Sequence, residues 1–341
     1  MNSFIKVYSR LEKKNLKKKI GIYKYFQPVL FKKLKSFNLK TETFSELIQF
    51  TDMHHPNRYK LNINNGGIKK YNLEEIKLKK KIEKIILNTF KKRINIDDSF
   101  SRAVISYRFV KKNFKNKINI FEVGPGSGYL GVLLKNYNYN YSSLEITKPH
   151  FIYQHFIHKK IFKKKYSPQI LGNNFKKSVL TTNFNIPWWQ VKNIFFFLNK
   201  FKPEIIILNH CINEMHHNAL NYLCHNFSLL KKKPIILIEG FGSEKINSTE
   251  DSLKIFYKYG FKIYHHKPIK KYNIIRSLSI PITLLSNKNI KSKITYFNSK
   301  IFYSKFGLKK ILNLLINLKN IKFDIYKWKI YLLDFIIILK K

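Results

Sequence analysis

From about residue 101 onward the chain alternates short apolar runs with helical segments, the pattern of βαβ units feeding a parallel sheet. The predicted strands are INIFEV (118–123), YSSLEI (141–146), SVLTTN (178–183), EIIILNH (204–210), PIILIEG (234–240), FKIYHH (261–266) and IIRSLSI (274–280). With helices between the first five, the expected fold class is α/β: a Rossmann-like, doubly wound, seven-stranded sheet over residues 101–285. Residues 1–100 read as a basic, mostly helical region that could serve as a lid. Within it Ile76, Ile82, Ile85, Ile86 and Phe90 recur near helical spacing with lysines on the other faces. TDMHHPNRYKLNINNGG reads as a loop, and residues 286–341 as a short linker followed by a helical tail.

INIFEVGPGSGYLGVLL is the most informative segment. An apolar run ends at Val123, glycines follow at 124, 126, 128 and 131, and a helix begins near Tyr129. Glycines allow positive φ and close approach of a ligand to the backbone, and the first N–H groups of the new helix face that ligand. Gly126, Gly128 and Gly131 satisfy the G-x-G-x-x-G dinucleotide pattern, but Gly124-Pro125 then intervenes between strand and motif. The register acid-x-Gly-x-Gly-x-Gly fits from Glu122 through Gly128, and a carboxylate there would repel a pyrophosphate while suiting a cationic cofactor. A second acid, Glu145, ends the next predicted strand, where its two oxygens could accept a pair of ribose hydroxyls.

This arrangement resembles the first motif of class I S-adenosylmethionine-dependent methyltransferases. Over roughly residues 100–245, the sequences FEVGPGSGYLG, LEITKPHFIYQHF, IPWWQ, NHCINEMHHNALNYL and LIEGFGS are similar to bacterial sugar O-methyltransferases. The resemblance implies S-adenosyl-L-methionine as cofactor, held by Glu122, Gly124, Gly126, Gly128 and Glu145. It also implies Asn183 near the adenine, with an amide where the family usually has an acid, and Asn209 in the motif after the fourth strand.

Methyl transfer from a sulfonium is an in-line displacement that depends mainly on positioning, and an oxygen acceptor must also lose its proton. The candidate bases follow the fourth strand. His210 ranks first because it ends that strand at the carboxyl edge and histidine is ordinarily neutral at pH 7; Glu214 and His216 follow. Reading 212–230 as one helix puts Ile212, Met215, Ala219, Leu223 and Leu230 on one face with His216 beside them. Trp188 and Trp189 could stack on adenine or a sugar, or simply fill the core. Asp52, His54, His55 and Arg58 could close over an acceptor; adjacent loop histidines are usually solvated, so no metal is assigned. Glu239 could line the acceptor pocket.

Composition sharpens this picture from outside. The 341 residues carry 66 Lys+Arg against 19 Asp+Glu, a formal net charge of +47, while 44% hydrophobic and 16% aromatic content excludes a disordered basic tail. Such charge invites nucleic acid, and an RNA methyltransferase with a basic N-terminal arm is one alternative; a degenerate fold used as a binding module is another. Arginine, the better phosphate reader, is scarce, however, and the Lys, Asn and Ile excess matches AT-rich codon drift. A small polar acceptor is therefore the expected partner. No apolar run reaches the ~18–20 residues of a membrane span, and no signal-peptide h-region precedes the first helix, so the expected compartment is the cytoplasm. Cys211 and Cys224 form neither a disulfide scaffold nor a metal cluster.

Overall fold

Parallel strands buried on both faces need unbroken apolar runs, and the runs INIFEV, EIIILNH and PIILIEG supply them. The computed structural model describes residues 2–17, 21–26, 71–91, 93–94, 96–114, 117–135, 137, 139–170, 183–240, 246–267 and 282–286. The elements before the sheet are helices α1 (Asn2–Leu16), α2 (Tyr23–Phe26), α3 (Leu73–Phe90) and α4 (Asp97–Asn113). Then follow β1 (Asn119–Val123), α5 (Tyr129–Lys135), β2 (Asn140–Glu145), α6 (Lys148–Phe162), β3 (Tyr166–Pro168) and β4 (Asn183–Pro187). After them come α7 (Ile194–Phe201), β5 (Ile205–Ile207), α8 (His217–Ser228), β6 (Ile235–Glu239), α9 (Thr249–Lys258), β7 (Lys262–Lys267) and β8 (Ile282–Ser286).

Among the described residues the sheet has eight strands in the order β3-β4-β2-β1-β5-β6-β8-β7. The strands from β3 to β6 are mutually parallel, and β8 runs antiparallel between β6 and β7. The chain leaves β1 toward β2 and β4, then returns to build β5 and β6 on the other side. Right-handed crossovers in opposite directions place helices on opposite faces, and the order reverses between β1 and β5. The crevice outside the carboxyl end of β1 is therefore the topological switch point, where open α/β sheets bind ligands.

Three sequence expectations are corrected. The sheet has eight strands, not seven, because the short β3 adds an edge that a three-residue run could not announce. Strands lie at Asn183–Pro187 and Ile282–Ser286; the strand expected at 274–280, and residues 178–182 of the one expected at 178–183, lie outside the described residues. On α3, Leu78, Ile82, Ile86 and Phe90 form the buried stripe, while Ile76, about 200° around the helix from Leu78, is exposed. The boundary expected near residue 100 falls inside α4, and the 286–341 tail, apart from Ser286, lies outside the described residues.

The N-terminal helices share the core of the sheet. Tyr8 of α1 is fully buried, its ring centroid 5.1 Å from Phe151 and 4.8 Å from Trp189, while Phe4 stacks on His155 at 3.6 Å. Glu75 clamps α3 to α4. In a capping box its backbone N–H donates to Asn72 Oδ1 (2.8 Å) and its Oε2 accepts from the Asn72 N–H (2.9 Å). Its two oxygens also accept from Arg108 Nε and Nη2, each at 2.6 Å, with Glu75 fully buried. Glu75→Ala removes the reciprocal half of the capping box and both of its hydrogen bonds to the Arg108 guanidinium, so chemical denaturation is expected to show a loss of about 2–3 kcal/mol.

Candidate functional site

The loop after β1 is fixed by its glycines. Gly124, Gly126 and Gly128 have φ of 67°, 59° and 72°, left-handed values that an L side chain rarely adopts. A Cβ on Gly124 would come within 3.2 Å of Cys211 Cβ, and one on Gly128 within 2.7 Å of Gln154 Cγ. At Gly126 a Cβ would find its nearest atom, His150 Cε1, only at 4.0 Å, so space opens above that residue. The loop is stitched to its surroundings: the Gly124 N–H donates to Leu144 O (2.9 Å), Gln154 Nε2 to Gly126 O (2.6 Å), and His158 Nε2 to Gly128 O (2.9 Å). Burial lowers the His158 pKa to about 4, so the ring is neutral and can carry its proton on Nε2.

Two acids flank this cradle. Glu122 lies level with Ser143 of β2 and Ile207 of β5, 4% exposed, and accepts from the Tyr141 hydroxyl at 2.5 Å. Burial pushes its pKa up to about 8; Tyr141 opposes the rise, and Glu145 and Glu239 add to it. Glu145 is 2% exposed. Its Oε1 accepts from the Thr147 N–H and hydroxyl, both at 2.9 Å, and its Oε2 from the Gly126 N–H at 3.2 Å. Burial raises it to about 7 against those hydrogen bonds. Tyr8 of α1 comes close enough for the Glu145 charge to help raise the pKa of its hydroxyl, after burial and Glu12. Glu12, itself lifted to about 7 by burial, accepts from Trp188 Nε1 at 3.4 Å.

The segment after β5 forms the facing wall. Asn209 bridges two elements, donating to Ser106 Oγ of α4 (2.8 Å) and accepting the Glu239 N–H of β6 (2.9 Å). Ser106 donates to Glu239 Oε2 at 2.7 Å. His210 follows with φ 53°, its N–H on Gly240 O at 3.0 Å and its Nε2 3.7 Å from Glu239 Oε1. Cys211 donates to Val123 O at 3.4 Å beside Gly124. Burial drives its thiol pKa well up, with Glu214, Glu122 and Glu145 adding, and the Glu214 N–H donates to Cys211 O at 3.1 Å in the turn that follows.

The structure thus brings together Glu122, Gly124, Gly126, Gly128 and Glu145, with Asn209, His210 and Glu214 across the crevice. It separates Asn183 from them. Asn183 begins β4 instead of ending a strand, roughly 13 Å from the carboxyl edge, where Pro187 is the residue level with Glu145. There its Oδ1 accepts the Tyr141 N–H (3.0 Å) and its amide donates to Lys165 O (3.3 Å), an architectural role. His216 is also reassigned. The expected helix from 212 breaks at Met215, and His216 caps α8, its Nδ1 accepting the Asn218 N–H at 3.1 Å with Tyr25 4.3 Å from its ring. A nitrogen spent on a cap is not free as a base. Trp188 and Trp189 are buried beneath α1 as core, and Asp52, His54, His55 and Arg58 lie outside the described residues.

Sequence reasoning missed Ser106, Tyr141, Gln154 and His158. For Gln154 and His158 a signal existed: polar residues four apart in one helix share a face, and that face meets the loop. Ser106 gave none, since its partners lie 103 and 133 positions away.

No protein-family model and no curated protein matches the chain. Among solved structures it is similar to the magnesium protoporphyrin IX methyltransferase of Synechocystis with bound S-adenosylmethionine, at 11% identity over 74% of this chain and 100% of that one, TM-score 0.39. It is similar also to a TehB-like S-adenosylmethionine-dependent methyltransferase of Corynebacterium glutamicum, at 11% identity over 53% and 86% of the two chains, TM-score 0.37. A third is the glycopeptide N-methyltransferase MtfA, at 10% identity over 54% and 89%, TM-score 0.37. At these values neither ligand nor activity passes from them to this chain.

The raised acids set a pH dependence. A carboxyl whose folded pKa lies above its unfolded value binds its proton more tightly when folded, so its contribution is full below the unfolded pKa and is lost as pH rises through the folded one. For Glu122 that window runs from 4.5 to about 8, and for Glu145 from 4.5 to about 7. Glu122→Gln keeps an acceptor for Tyr141 and no charge. Denaturation curves should therefore show the variant matching the wild type near pH 5 and exceeding it by on the order of 4 kcal/mol near pH 9.

Proposed function

We propose that the chain is an S-adenosylmethionine-dependent methyltransferase that acts on a hydroxyl of a small polar acceptor, with a sugar as the favoured class. The observation that carries this reading is the glycine cradle set between two buried acids at the switch point of the sheet. A dinucleotide would bring a pyrophosphate against Glu122, whose ionised form opposes it, whereas Glu145 suits the ribose of either cofactor. S-adenosylmethionine would bring an α-ammonium and a sulfonium, and the open space above Gly126 leaves room for backbone approach. The cradle glycines with Glu122 and Glu145 are the residues that would hold it.

When bound, the cofactor supplies a methyl group whose C–S bond breaks, the electron pair going to sulfur, as the acceptor oxygen bonds to carbon. The chain's own residues fix position and manage the acceptor's proton. His210 and Glu214, on the facing wall, are the residues that would take on that task. O-methylation is favoured over N-methylation because this wall offers a proton acceptor, which an amine needs less than an alcohol does.

Calorimetric titration of the full chain with S-adenosylhomocysteine tests the reading, followed by mass spectrometry of candidate acceptors for a methyl-sized increment. The wild type is expected to bind; Gly126→Arg, which forces a side chain into a left-handed position and fills the open space, should retain its circular dichroism and show no measurable heat. Because a cation favours ionised acids, S-adenosylmethionine binding should release protons between pH 5 and 8 and tighten as pH rises, as measured in buffers of different ionisation enthalpy. A wild type that binds neither ligand would end the proposal.

A further inference from the structure

Two buried polar atoms at the facing wall have no hydrogen-bond partner: His210 Nε2 and Glu239 Oε1, 3.7 Å apart. Glu239 is fully buried at the end of β6, and its other oxygen is taken by Ser106. The Ser106 hydroxyl proton has one direction to go, because its oxygen already accepts from the Asn209 amide. The chain of donation therefore runs Asn209 to Ser106 to Glu239, and Glu239 Oε1 is left as an acceptor facing an imidazole nitrogen. His210 holds a left-handed φ of 53°, fixed by its N–H on Gly240 O at 3.0 Å. Non-glycine residues held in that region cluster at functional sites.

We propose that Glu239, oriented by Ser106 and Asn209, is a positioning residue that keeps the His210 proton on Nε2 and so leaves Nδ1 as the nitrogen that takes the proton of the acceptor hydroxyl. The inference rests on the methyl-transfer reading for its purpose, but not for its test. The separation is longer than a hydrogen bond, and catalytic hydrogen bonds commonly tighten only when ligands bind. In the reaction the hydroxyl proton passes to Nδ1 as oxygen takes the methyl group, and the imidazolium that results faces the Glu239 carboxylate. Asn209, which the sequence placed with the cofactor, acts in this arrangement through Ser106 instead.

The donor and acceptor inventory gives a test that needs no acceptor molecule. In Glu239→Gln the Ser106 proton claims the only carboxamide oxygen, so the NH₂ group faces His210 Nε2 and that nitrogen must become the acceptor. The proton then moves to Nδ1. In the double variant Ser106→Ala/Glu239→Gln the carboxamide is released to turn its oxygen toward His210, and the Nε2–H tautomer returns. Long-range ¹H–¹⁵N correlation spectra of the histidine-labelled full chain, with His210 assigned by loss of its signals in His210→Asn, report the tautomer directly. The expected sequence is Nε2–H in the wild type, Nδ1–H in Glu239→Gln, and Nε2–H again in the double variant. A wild-type Nδ1–H tautomer, or no change in Glu239→Gln, overturns the proposal; should that variant not fold, Ser106→Ala alone must still show Nε2–H, and an Nδ1–H tautomer there overturns it equally. S-adenosylhomocysteine titration of the same samples separates the two ideas, since failure to bind would remove the cofactor reading without altering the tautomers.

Discussion

A carboxyl buried beneath a glycine loop is the constraint on which this architecture turns. Glu122 at the end of β1 has 4% of its surface exposed, and a buried acid without a partner is costly. Tyr141 answers it from the neighbouring strand, and almost everything nearby is arranged around that ring. Its hydroxyl serves Glu122, its backbone N–H donates to Asn183 of β4, and its edge meets His158 of α6. On its remaining side a Cβ at residue 131 would lie 2.6 Å from the ring, so α5 can cross β2 only with glycine there. The fourth glycine, which in sequence completes a dinucleotide pattern, is thereby explained by packing and not by phosphate.

Fold class and the glycine turn after β1 were legible in the sequence because both are local. The β1 run, the glycine turn and the start of α5 lie within 17 residues, and Glu145 ends a strand whose register with β1 is direct. What failed depended on partners distant in sequence. Asn183 was misplaced because a strand was expected to end there, whereas β4 begins there, and four residues carry a side chain from one edge of the sheet to the other. His216 was misread because a helical pattern was extended through Met215, where the chain is pinned instead by the Asn247 amide on Met215 O and the Asn247 N–H on Asn213 O. Ser106 sits on an amphipathic helix like any serine, and only the tertiary fold brings it between Asn209 and Glu239.

The +47 charge takes a different place once burial is known. Among the described residues most lysines are exposed or half-buried, whereas Glu75, Glu122, Glu145 and Glu239, all with 4% exposure or less, are gathered inside. Exposed charge is screened over about 8 Å at physiological ionic strength, so a ligand in the crevice feels chiefly the acids that line it. A basic coat is compatible with an acidic acceptor reaching the protein, but it says little about what the crevice binds.

The two cradle acids also differ in how they are held, and that difference bears on specificity. Glu122 is answered by a single hydroxyl and carries the larger rise in pKa, to about 8, while Glu145 is surrounded by donors and rises to about 7. An oxygen ringed by N–H and O–H groups is already solvated by the protein, and a ligand hydroxyl meeting it must match bonds that exist. An oxygen held by burial alone gains more from a cation, because the desolvation that raised its pKa has already been incurred in the fold. Of the two, Glu122 is accordingly the acid whose charge the fold compensates less, a difference set by hydrogen-bond supply on two adjacent strands.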